Sequence, residues 1–529
     1  MADTVREIER KFEAASATDD IRLPDLTGIG RVATVAERGA EDLDALYYDT
    51  DDQRLAADGI TLRRRTGGAD AGWHLKLPVA LAGVAGCVRD EIRAPLSGAP
   101  PAELAALVRS RVRGAELVPV VRLRTRRTVR VLQDAAGAPL AEVAVDEVRA
   151  RRLHPEGLGR AGKARWREVE VELAPEHGDL ALLDEAGRLL AAAGLRPAPA
   201  RSKLARALAQ TAPEGATGVA EAPGEEPPRP AGRGRRTAGD VVLDYVREQV
   251  RAIVALDPAV RRDLPDAVHQ MRVATRRLRS AFRSYAAVLD RAATDPIGAE
   301  LQWLAVELGV GRDQEVLAER LADALAEVPR TLRLGPVTAR LRTWSGRRRT
   351  GARGRLLAAL DGPRYLALLE ALHALLADPP LRAPAARPAP GVVAGAVLKD
   401  YRRLAGRVET ALGTPAGPAR DEALHSARKA AKRIRYAAEA AQPALGRPAR
   451  TFTRRAKQVQ QLLGDHQDSV VARAALRELA TQARGAGESG FTFGLLYGRE
   501  EARAADRERE LPGLWAKVSR RKYRDALRR

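Results

Sequence analysis

The chain has 529 residues, 45% of them hydrophobic, so it is long enough for two or three domains with substantial cores and is not a disordered chain. Lys and Arg number 90 against 69 Asp and Glu, and the formal charge of +21 predicts an anionic partner such as nucleic acid, anionic lipid or polyphosphate. Aromatic residues make up only 4%, which disfavours a single-strand nucleic-acid binder, because such proteins stack bases on aromatic rings, but leaves open a duplex binder that grips phosphates alone.

Cysteine content and hydropathy indicate the cellular compartment of the protein. The single cysteine, Cys87, excludes an intrachain disulfide and a cysteine-rich metal site and is typical of a reducing compartment. The segment Met1–Phe12 alternates charges and lacks the apolar core of a signal peptide. No run of about 18 uncharged apolar residues occurs. We therefore expect a cytoplasmic protein with no membrane partner.

Residues 1–212 carry short alternating stretches separated by Gly and Pro, which predict about eight β-strands. The predicted strands are Val5–Phe12, Ala45–Asp49, Ile60–Arg65, Trp73–Leu77, Val88–Arg93, Val120–Val131, Ala141–Val148 and Trp166–Leu173. Two helical patterns follow, at Asp179–Ala193 and Ser202–Gln210. Residues 213–237 hold five prolines and several glycines and read as a linker.

From Ala238 onward the period changes to 3.6 residues, with Ala, Leu and Arg throughout, which predicts an all-helical domain over residues 238–529. A Pro-rich break at 379–391 divides it into segments of about 238–378 and 392–529. The whole chain is thus predicted to be a multidomain α+β protein, with a β-rich half followed by a helical half.

The two helical segments repeat each other. The residues His269, Arg272, Arg276, Arg277 and Arg279 recur at identical spacings as His425, Arg428, Lys432, Arg433 and Arg435. Tyr245 and Tyr401 each precede the histidine by 24 residues. Two Leu-Gly pairs, Leu308-Gly309 and Leu463-Gly464, are each followed by an aspartate four residues after the glycine, Asp313 and Asp468. Three elements kept in register predict a duplicated helical unit with pseudo-two-fold symmetry.

In the β-rich half, Glu7, Glu9 and Lys11 alternate along one predicted strand, so their side chains point to the same side. Other predicted strands alternate in the same way, at Arg63 and Arg65; Lys76; Arg89, Glu91 and Arg93; Arg122, Arg124 and Arg126; Glu142 and Asp146; and Glu168, Glu170 and Glu172.

Two interpretations of this alternation stay open on spacing alone. The charged face can be the solvated side of a sheet whose other side packs on a core. It can equally line the interior of a barrel, where paired glutamates hold a hard divalent cation and Arg and Lys bind phosphate oxygens. Clustering of both charge types favours the barrel.

The segment Glu7-Ile8-Glu9-Arg10-Lys11-Phe12 resembles the ExExK signature of the CYTH, or triphosphate tunnel metalloenzyme, family. Further segments follow in the family's order: Tyr47-Tyr48-Asp49-Thr50, Gly59-Ile60-Thr61-Leu62-Arg63-Arg64-Arg65, Trp73-His74-Leu75-Lys76, Glu168-Val169-Glu170-Val171-Glu172-Leu173 and Ser202-Lys203. The resemblance covers residues 1–210 and rests on the ordered set. It implies an eight-stranded antiparallel tunnel with flanking helices; family members include inorganic, thiamine and RNA triphosphatases and adenylate cyclases.

The resemblance also implies roles for individual residues. Metal ligands for Mg²⁺ or Mn²⁺ would be Glu7, Glu9, Asp146, Glu168 and Glu170. Phosphate contacts would be Lys11, Arg63, Arg65, Lys76, Arg124, Arg126 and Lys203, with Glu7, Glu9, Lys11 and Lys76 at the catalytic centre. Two registers stay open: which arginines of Arg122–Arg127 face inward, and which two of Glu168, Glu170 and Glu172 form the family's carboxylate pair.

In the helical half, His269, Arg272, Arg276, Arg279 and Arg283 are spaced 3, 4, 3 and 4 residues apart on one helix face. A stripe of like charges on one helix is usually a solvated face, and its members repel each other. Recurrence in both repeats favours an anion-binding site. A metal site is disfavoured because the histidines lack a partner four residues on and arginines repel cations.

These motifs resemble the CHAD family, named for conserved histidines in an α-helical domain, over residues 238–529. The resemblance implies helical bundles around a basic groove that binds inorganic polyphosphate. Its contacts would be His269, Arg272, Arg276, Arg279, His425, Arg428, Lys432 and Arg435. Asp313 and Asp468 would orient arginines, although Gln467 replaces the Arg312 of the first copy.

Three functions follow as hypotheses. The first is an enzyme whose β-rich half hydrolyses inorganic triphosphate or short polyphosphate while its helical half holds the polyanion. The second is a non-catalytic polyphosphate-binding protein directed to polyphosphate granules. The third, a nucleic-acid binder, is disfavoured by scarce aromatics and by the absence of a recognised reading motif.

Overall fold

The structure, a computed structural model, describes residues 3–14, 21–79, 87–153, 162–175, 179–212 and 236–528. The chain divides into two compact units, residues 1–231 and 232–529. Most of the predicted linker, residues 213–235, lies outside the described residues.

Unit 1 is a closed antiparallel β-barrel. Its strands are β1 (Asp3–Glu13), β2 (Thr34–Asp49), β3 (Thr61–Thr66), β4 (Gly72–Pro78), β5 (Cys87–Ala94), β6 (Val118–Gln133), β7 (Pro139–Arg152) and β8 (Lys163–Leu173). They are hydrogen-bonded in the order β5-β4-β3-β2-β6-β7-β8-β1, and pairing of β1 with β5 closes the circle. A two-residue strand, β9 (Arg196–Pro197), adds to β1. The predicted eight-stranded antiparallel barrel is confirmed.

Strand β2 begins at Thr34, eleven residues before the strand expected at Ala45. Most side chains of its first half are exposed on both faces, so no apolar alternation marks it. Backbone pairing with β6, from Thr34 opposite Gln133 onward, holds this half in place. Hydropathy therefore found only the part of the strand that packs on the core.

Four helices accompany the barrel: α1 (Arg54–Ala57), α2 (Ala102–Val112), α3 (Leu180–Ala192) and α4 (Lys203–Gln210). Helix α2 packs Leu104 and Val108 on the side chains of Leu62, Trp73 and Leu75. Helix α3 covers another part of the wall, where Phe12, Val143 and Val171 lie. Because these apolar residues face helices outside the barrel, the alternating charged residues of the same strands face inward.

Helix α4 packs at one end of the barrel interior. Its Leu204 and Leu208 are buried with Tyr47, Leu123 and Trp166. The Ser202 hydroxyl accepts a hydrogen bond from the Ala205 N–H at 3.1 Å and so fixes the start of the helix. Lys203 is thereby the first residue of α4, at the end of the helix that meets the charged interior.

Unit 2 is entirely helical where it is described, as predicted. Its helices are α5 (Ala238–Arg261), α6 (Ala267–Ser284), α7 (Arg291–Glu307), α8 (Gly309–Ala326), α9 (Val337–Arg349), α10 (Ala352–Asp361), α11 (Pro363–Ala377), α12 (Ala389–Gly413), α13 (Pro418–Ala440), α14 (Gln442–Leu445), α15 (Arg447–Gly485), α16 (Phe491–Val518) and α17 (Arg521–Arg528). Short 3-10 turns occur at Arg330–Leu332 and Ala383–Ala386. None of the helices in the described ranges is long and apolar enough to cross a bilayer.

The repeat appears as two helix pairs, α5 with α6 and α12 with α13, which share one hydrophobic core. Helices α6 and α13 also contact each other, so the two basic stripes lie side by side. The copies differ at the Leu-Gly pair. The first copy breaks there into α7 and α8, at Leu308, whereas Leu463-Gly464 lies inside the continuous helix α15.

Candidate functional site

The barrel encloses a cavity of about 250 Å³ that is lined almost entirely by charged side chains. Among the residues expected at the site, Glu7, Glu9, Lys11, Arg63, Arg65, Lys76, Glu170 and Lys203 line it. Asp146 and Glu168 are fully or almost fully buried and contact Lys203. The charged faces of these strands therefore converge on one interior space instead of facing solvent.

Three carboxylates form a buried trio on neighbouring strands. Asp146 of β7 stands directly opposite Glu168 of β8, and Glu170 follows on the same side of β8. Each residue offers an oxygen, and these oxygens all lie within 4.8 Å of one another. Such a set of hard oxygen donors fits Mg²⁺ or Mn²⁺.

The ammonium of Lys203 lies among the three carboxylates. Its Nζ is 2.8 Å from Asp146, 2.8 Å from Glu168 and 2.5 Å from Glu170. Burial acts to lower the pKa of Lys203, but the three negative charges outweigh it and hold the pKa well above its ordinary value. Lys203 is therefore a permanent cation that neutralises part of the trio.

Two further cations contact the trio. The Arg127 guanidinium donates to Asp146 at 2.7 and 2.8 Å and to Glu170 at 2.6 Å. Lys11 contacts Glu170 and lies 3.4 Å from Glu9. Burial would raise the pKa of Glu170, yet Lys11, Lys203 and Arg127 hold it well below its usual range. Glu170 is thus ionised, and fixed positive charges lie against the trio.

A second charged group surrounds Glu91 on β5. The Lys76 ammonium lies 2.6 Å from Glu7 and 3.5 Å from Glu91, and Arg63 also lies 3.5 Å from Glu91. His74 Nδ1 lies 3.0 Å from the same carboxylate, and burial lowers the pKa of His74 to about 4. Burial raises the pKa of Glu7 even though Lys76 opposes the change. This group lies on β1, β3, β4 and β5, of which β1 is hydrogen-bonded to β8, a strand that carries the trio.

The register of Glu168, Glu170 and Glu172 is defined by the fold. All three share one side of β8, but only Glu168 and Glu170 join Asp146. Burial, followed by repulsion from Glu7, raises the pKa of Glu172 to about 8. Glu172 is therefore a carboxyl that stays largely protonated at neutral pH, outside the trio.

The structure does not bring Arg124 and Arg126 into the tunnel, contrary to the expectation from the resemblance. Both are exposed on the outer side of β6, where Arg124 and Arg122 contact Asp44. The inward side of β6 instead carries Leu123, which packs with α4, and then Arg127 and Val129. The basic alternation of β6 is an outer face because the alternate residues of the strand, among them Leu123 and Arg127, face the interior.

Arg127, Arg89 and Glu91 are tunnel residues that the expected site omitted. The sequence could have identified Arg89 and Glu91, because they alternate on β5 as the other inward residues do on their strands. The sequence could not have identified Arg127 in this way, because both faces of β6 carry arginine. Arg65 lies inside as expected, pairs with Asp70, and has its pKa lowered to about 9 by burial and by Arg63 and Arg127.

In unit 2 the two basic stripes meet in a central basic cluster, formed by Arg272, Arg276, Arg428 and Lys432. Burial lowers the pKa of Lys432 to about 7, and repulsion from Arg428, Arg276 and Arg272 adds to the effect. Burial likewise lowers the pKa of Arg276. Four cations held this close lie beside two carboxylates, Asp313 and Asp468, and this excess of positive charge favours an anion between them.

The two aspartates hold arginines of this cluster, as expected. Arg272 donates to Asp313, and Arg428 lies 3.5 Å from Asp468. Gly309 makes room for the first pair, because a Cβ there would lie 3.0 Å from the Arg272 guanidinium. The aspartates therefore orient two arginines of the central basic cluster.

The remaining expected contacts flank the cluster. His425 has its pKa lowered by burial and then by Lys429, so it is neutral at pH 7. His269 lies in the first turn of α6, half-buried. Arg279 donates to Gln302 at 2.7 Å, and the Arg435 guanidinium lies 4.6 Å from the Tyr436 ring centroid.

Comparisons with known proteins agree with this architecture. The CYTH domain profile matches residues 5–206, and the CHAD domain profile matches residues 244–477. The uncharacterized protein Rv2226 of Mycobacterium tuberculosis is 42% identical over 516 residues, which cover 95% of this chain and 94% of that protein.

Two solved structures resemble part of the chain. PptA from Streptomyces chartreusis is 22% identical, with a TM-score of 0.45, over 53% of this chain and 99% of its own. The CHAD domain from the plant Ricinus communis is 26% identical, with a TM-score of 0.43, over 54% of this chain and 92% of its own. The two domain matches and the full-length relative together lead to one assignment: the chain belongs to the family in which a CYTH triphosphate-tunnel domain is joined to a CHAD domain.

Proposed function

We propose that the CYTH domain, residues 1–212, hydrolyses inorganic triphosphate or short polyphosphate, with Mg²⁺ or Mn²⁺ as cofactor. One observation carries the proposal: a set of fixed cations lines a cavity of about 250 Å³, and a buried carboxylate trio adjoins it through Glu170, which lines the same cavity. Membership of the CYTH family, which includes triphosphatases and cyclases, supports it.

The cations of the tunnel are suited to hold a phosphate chain. Lys11, Arg63, Lys76 and Arg127 project from four different strands into one cavity. Each already faces a carboxylate, so its position is fixed before the substrate enters. Preorganised donors of this kind stabilise developing negative charge without a reorganisation cost during the reaction.

The carboxylates are suited to hold the cofactor. Asp146, Glu168 and Glu170 would bind it, with Glu7 and Glu9 of β1 facing the same cavity. A bound Mg²⁺ or Mn²⁺ supplies charge to polarise phosphoryl oxygens. Lys203 would move out of the trio toward the phosphate chain, and one of the tunnel carboxylates would orient the attacking water.

We further propose that the CHAD domain binds inorganic polyphosphate through the central basic cluster and the flanking His269, Arg279, His425 and Arg435. The lowered pKa of Lys432 supports this, because repulsion from Arg428, Arg276 and Arg272 adds to the effect of burial and a bound anion would relieve that repulsion. Binding should weaken steeply with salt, since a polyanion releases counterions when it docks. A polyphosphate held by one domain would raise the substrate concentration near the other.

The test is metal-dependent phosphate release from tripolyphosphate by the full chain. We expect turnover that needs Mg²⁺ or Mn²⁺ and is lost in the Glu7→Ala, Glu9→Ala variant. Glu103→Ala with Glu116→Ala removes two exposed carboxylates and is the matched control. Absence of turnover across metals and pH, in protein shown to be folded by circular dichroism, would leave the non-catalytic, granule-directed polyphosphate binder as the function.

A further inference from the structure

Three adjoining concavities open on the helical unit and share the wall formed by Arg283. Their volumes are about 580, 240 and 480 Å³. We call the surface that they form the lateral groove and define it by Arg283, Arg291, Arg382, Lys399, Arg403 and Arg407.

The lateral groove is continuous with the central basic cluster. Arg276 and Lys432 of the cluster line the same concavity as Arg403 and Arg407 of α12. The neighbouring concavity continues past Arg403 to Lys399. A chain leaving the cluster on this side would therefore meet basic side chains without interruption.

Of the cations of the lateral groove, Arg291 is paired with Asp295 at 2.6 Å, but most of the others lack counter-charge within the described residues. Lys399, Arg403 and Arg407 are exposed and four residues apart, so they share one face of α12. Within the described part of the chain, no carboxylate lies at ion-pair distance from these three side chains or from Arg283. Like charges at this spacing repel each other, and an anion along the face would relieve the repulsion.

The positions that correspond to the lateral groove through the sequence repeat, which we call the opposite side, differ from it. Glu439 corresponds to Arg283, because Glu439 follows Arg435 by four residues as Arg283 follows Arg279. An acidic residue therefore replaces the arginine. Glu439 also pairs with Arg277 at 2.6 Å. Leu243 precedes Tyr245 by two residues, as Lys399 precedes Tyr401.

The next pair of equivalent positions shows the same loss of free charge. Arg247 corresponds to Arg403, since each follows its tyrosine by two residues, but Arg247 is paired with Asp244 at 2.9 Å. The opposite side therefore carries less free positive charge.

We propose that a long polyphosphate leaves the central basic cluster in one direction only, along the lateral groove, which acts as an extension site for chains too long for the cluster. This inference rests on the proposed polyphosphate binding of the CHAD domain. The groove suits polyphosphate better than single-stranded nucleic acid, because among the described residues of its lining only Phe282 carries a ring, and that ring is buried and offers no face for a base.

The experiment compares two double variants of the full chain that remove the same charge from equivalent helix positions. Arg403→Gln with Arg407→Gln alters the lateral groove; Arg247→Gln with Arg251→Gln alters the opposite side. Binding of a short and a long polyphosphate fraction is measured by isothermal titration at several salt concentrations. A third variant, Arg276→Gln with Lys432→Gln, tests the cluster itself.

We expect the groove variant to bind long polyphosphate about three- to tenfold more weakly, the loss of two exposed charge contacts, and to bind the short fraction normally. Its salt slope for the long fraction should fall by about 1.4, since each lost contact removes about 0.7. The opposite-side variant should match the wild type.

Two different results would contradict the extension site alone or polyphosphate binding by the whole domain. Equal effects of the two arginine variants on long polyphosphate, with binding still lost in the cluster variant, would overturn the lateral groove and leave the proposed function intact. Normal binding of both fractions by the cluster variant would overturn polyphosphate binding by this domain and, with it, the extension site.

Discussion

The ammonium of Lys203 lies 2.8 Å from a carboxylate oxygen of Asp146, a side chain with no exposed surface. Glu168 and Glu170 contact the same ammonium. These are the three side chains whose oxygens could surround a divalent cation. A lysine charge and a metal would therefore neutralise the same buried carboxylates.

Replacement of this lysine should make the fold depend on metal. In Lys203→Met, the free energy of unfolding without metal should fall by about 3 to 5 kcal/mol, because a buried charge pair loses one partner. Added Mn²⁺ should raise the Tm of the variant more than that of the wild type. Calorimetry with and without metal measures both effects. The control Lys163→Met, at an exposed position of β8, should change neither value, and equal metal shifts in all three proteins would contradict the prediction.

The two sides of β6 give a direct test of which arginine serves the tunnel. Arg127→Gln should lower kcat/KM for tripolyphosphate by about 10- to 100-fold, the loss of a charge-assisted contact in a buried site. Arg124→Gln with Arg126→Gln removes more charge but only from the outer face, so it should change kcat/KM by less than about twofold. A larger loss in the double variant would mean that the outer arginines meet the substrate.

Polyphosphate binding should be linked to the protonation of Lys432, whose pKa burial and neighbouring arginines lower to about 7. The charged groups around it are Arg428 on its own helix, Arg272 and Arg276 on α6, and Asp468 on α15. A bound polyanion raises this pKa, so binding takes up a proton.

The sign of the pH dependence follows. Affinity should be full below about pH 7, where free Lys432 is already charged, and should decline as pH rises above 7 toward the higher pKa of the bound form. Titrations from pH 6 to about 9 at constant salt measure this. Lys432→Arg keeps the charge over that range and should flatten the profile; an unchanged slope in that variant would assign the linkage to another group.

Gly309 and Gly464 occupy equivalent positions of the two repeats and offer a matched test of how the arginines of the central basic cluster are positioned. Gly309→Ala places a Cβ 3.0 Å from the Arg272 guanidinium, which must shift, so polyphosphate should bind about two- to fivefold more weakly. A Cβ at Gly464 would lie 3.7 Å from Arg428, an ordinary contact inside α15.

Gly464→Ala should therefore leave the affinity unchanged and raise the free energy of unfolding by up to about 1 kcal/mol, the usual gain of alanine over glycine in a helix interior. Titration and thermal unfolding of both variants check the pair. Equal binding by the two would show that the position of Arg272 does not matter.

The residue pattern determined the architecture on both sides of the linker. Alternation with period two, separated by turn residues, was enough for eight strands, and the change to a 3.6-residue period with an internal repeat was enough for a duplicated helical unit. Local periodicity carries this information because it reports which face of each element is apolar.

The sequence also predicted which residues share a charged face of each strand, but it did not predict whether that face points into the barrel or to solvent. Whether Glu7 and Glu9 face solvent or an interior depends on helices α2 and α3, whose packing outside the barrel no single strand announces. The same holds for β6, where the expected tunnel arginines Arg124 and Arg126 lie outside.

Tertiary structure decided the site itself. Strand pairing placed Asp146 opposite Glu168, and the packing of α4 carried Lys203 into the space beside them, from a position far along the chain. Packing of α4 on Leu123 also determined which face of β6 points inward, and this placed Arg127 in the tunnel. These are contacts between segments distant in sequence, and each is determined by how whole elements bury their apolar faces against one another, which no local pattern encodes.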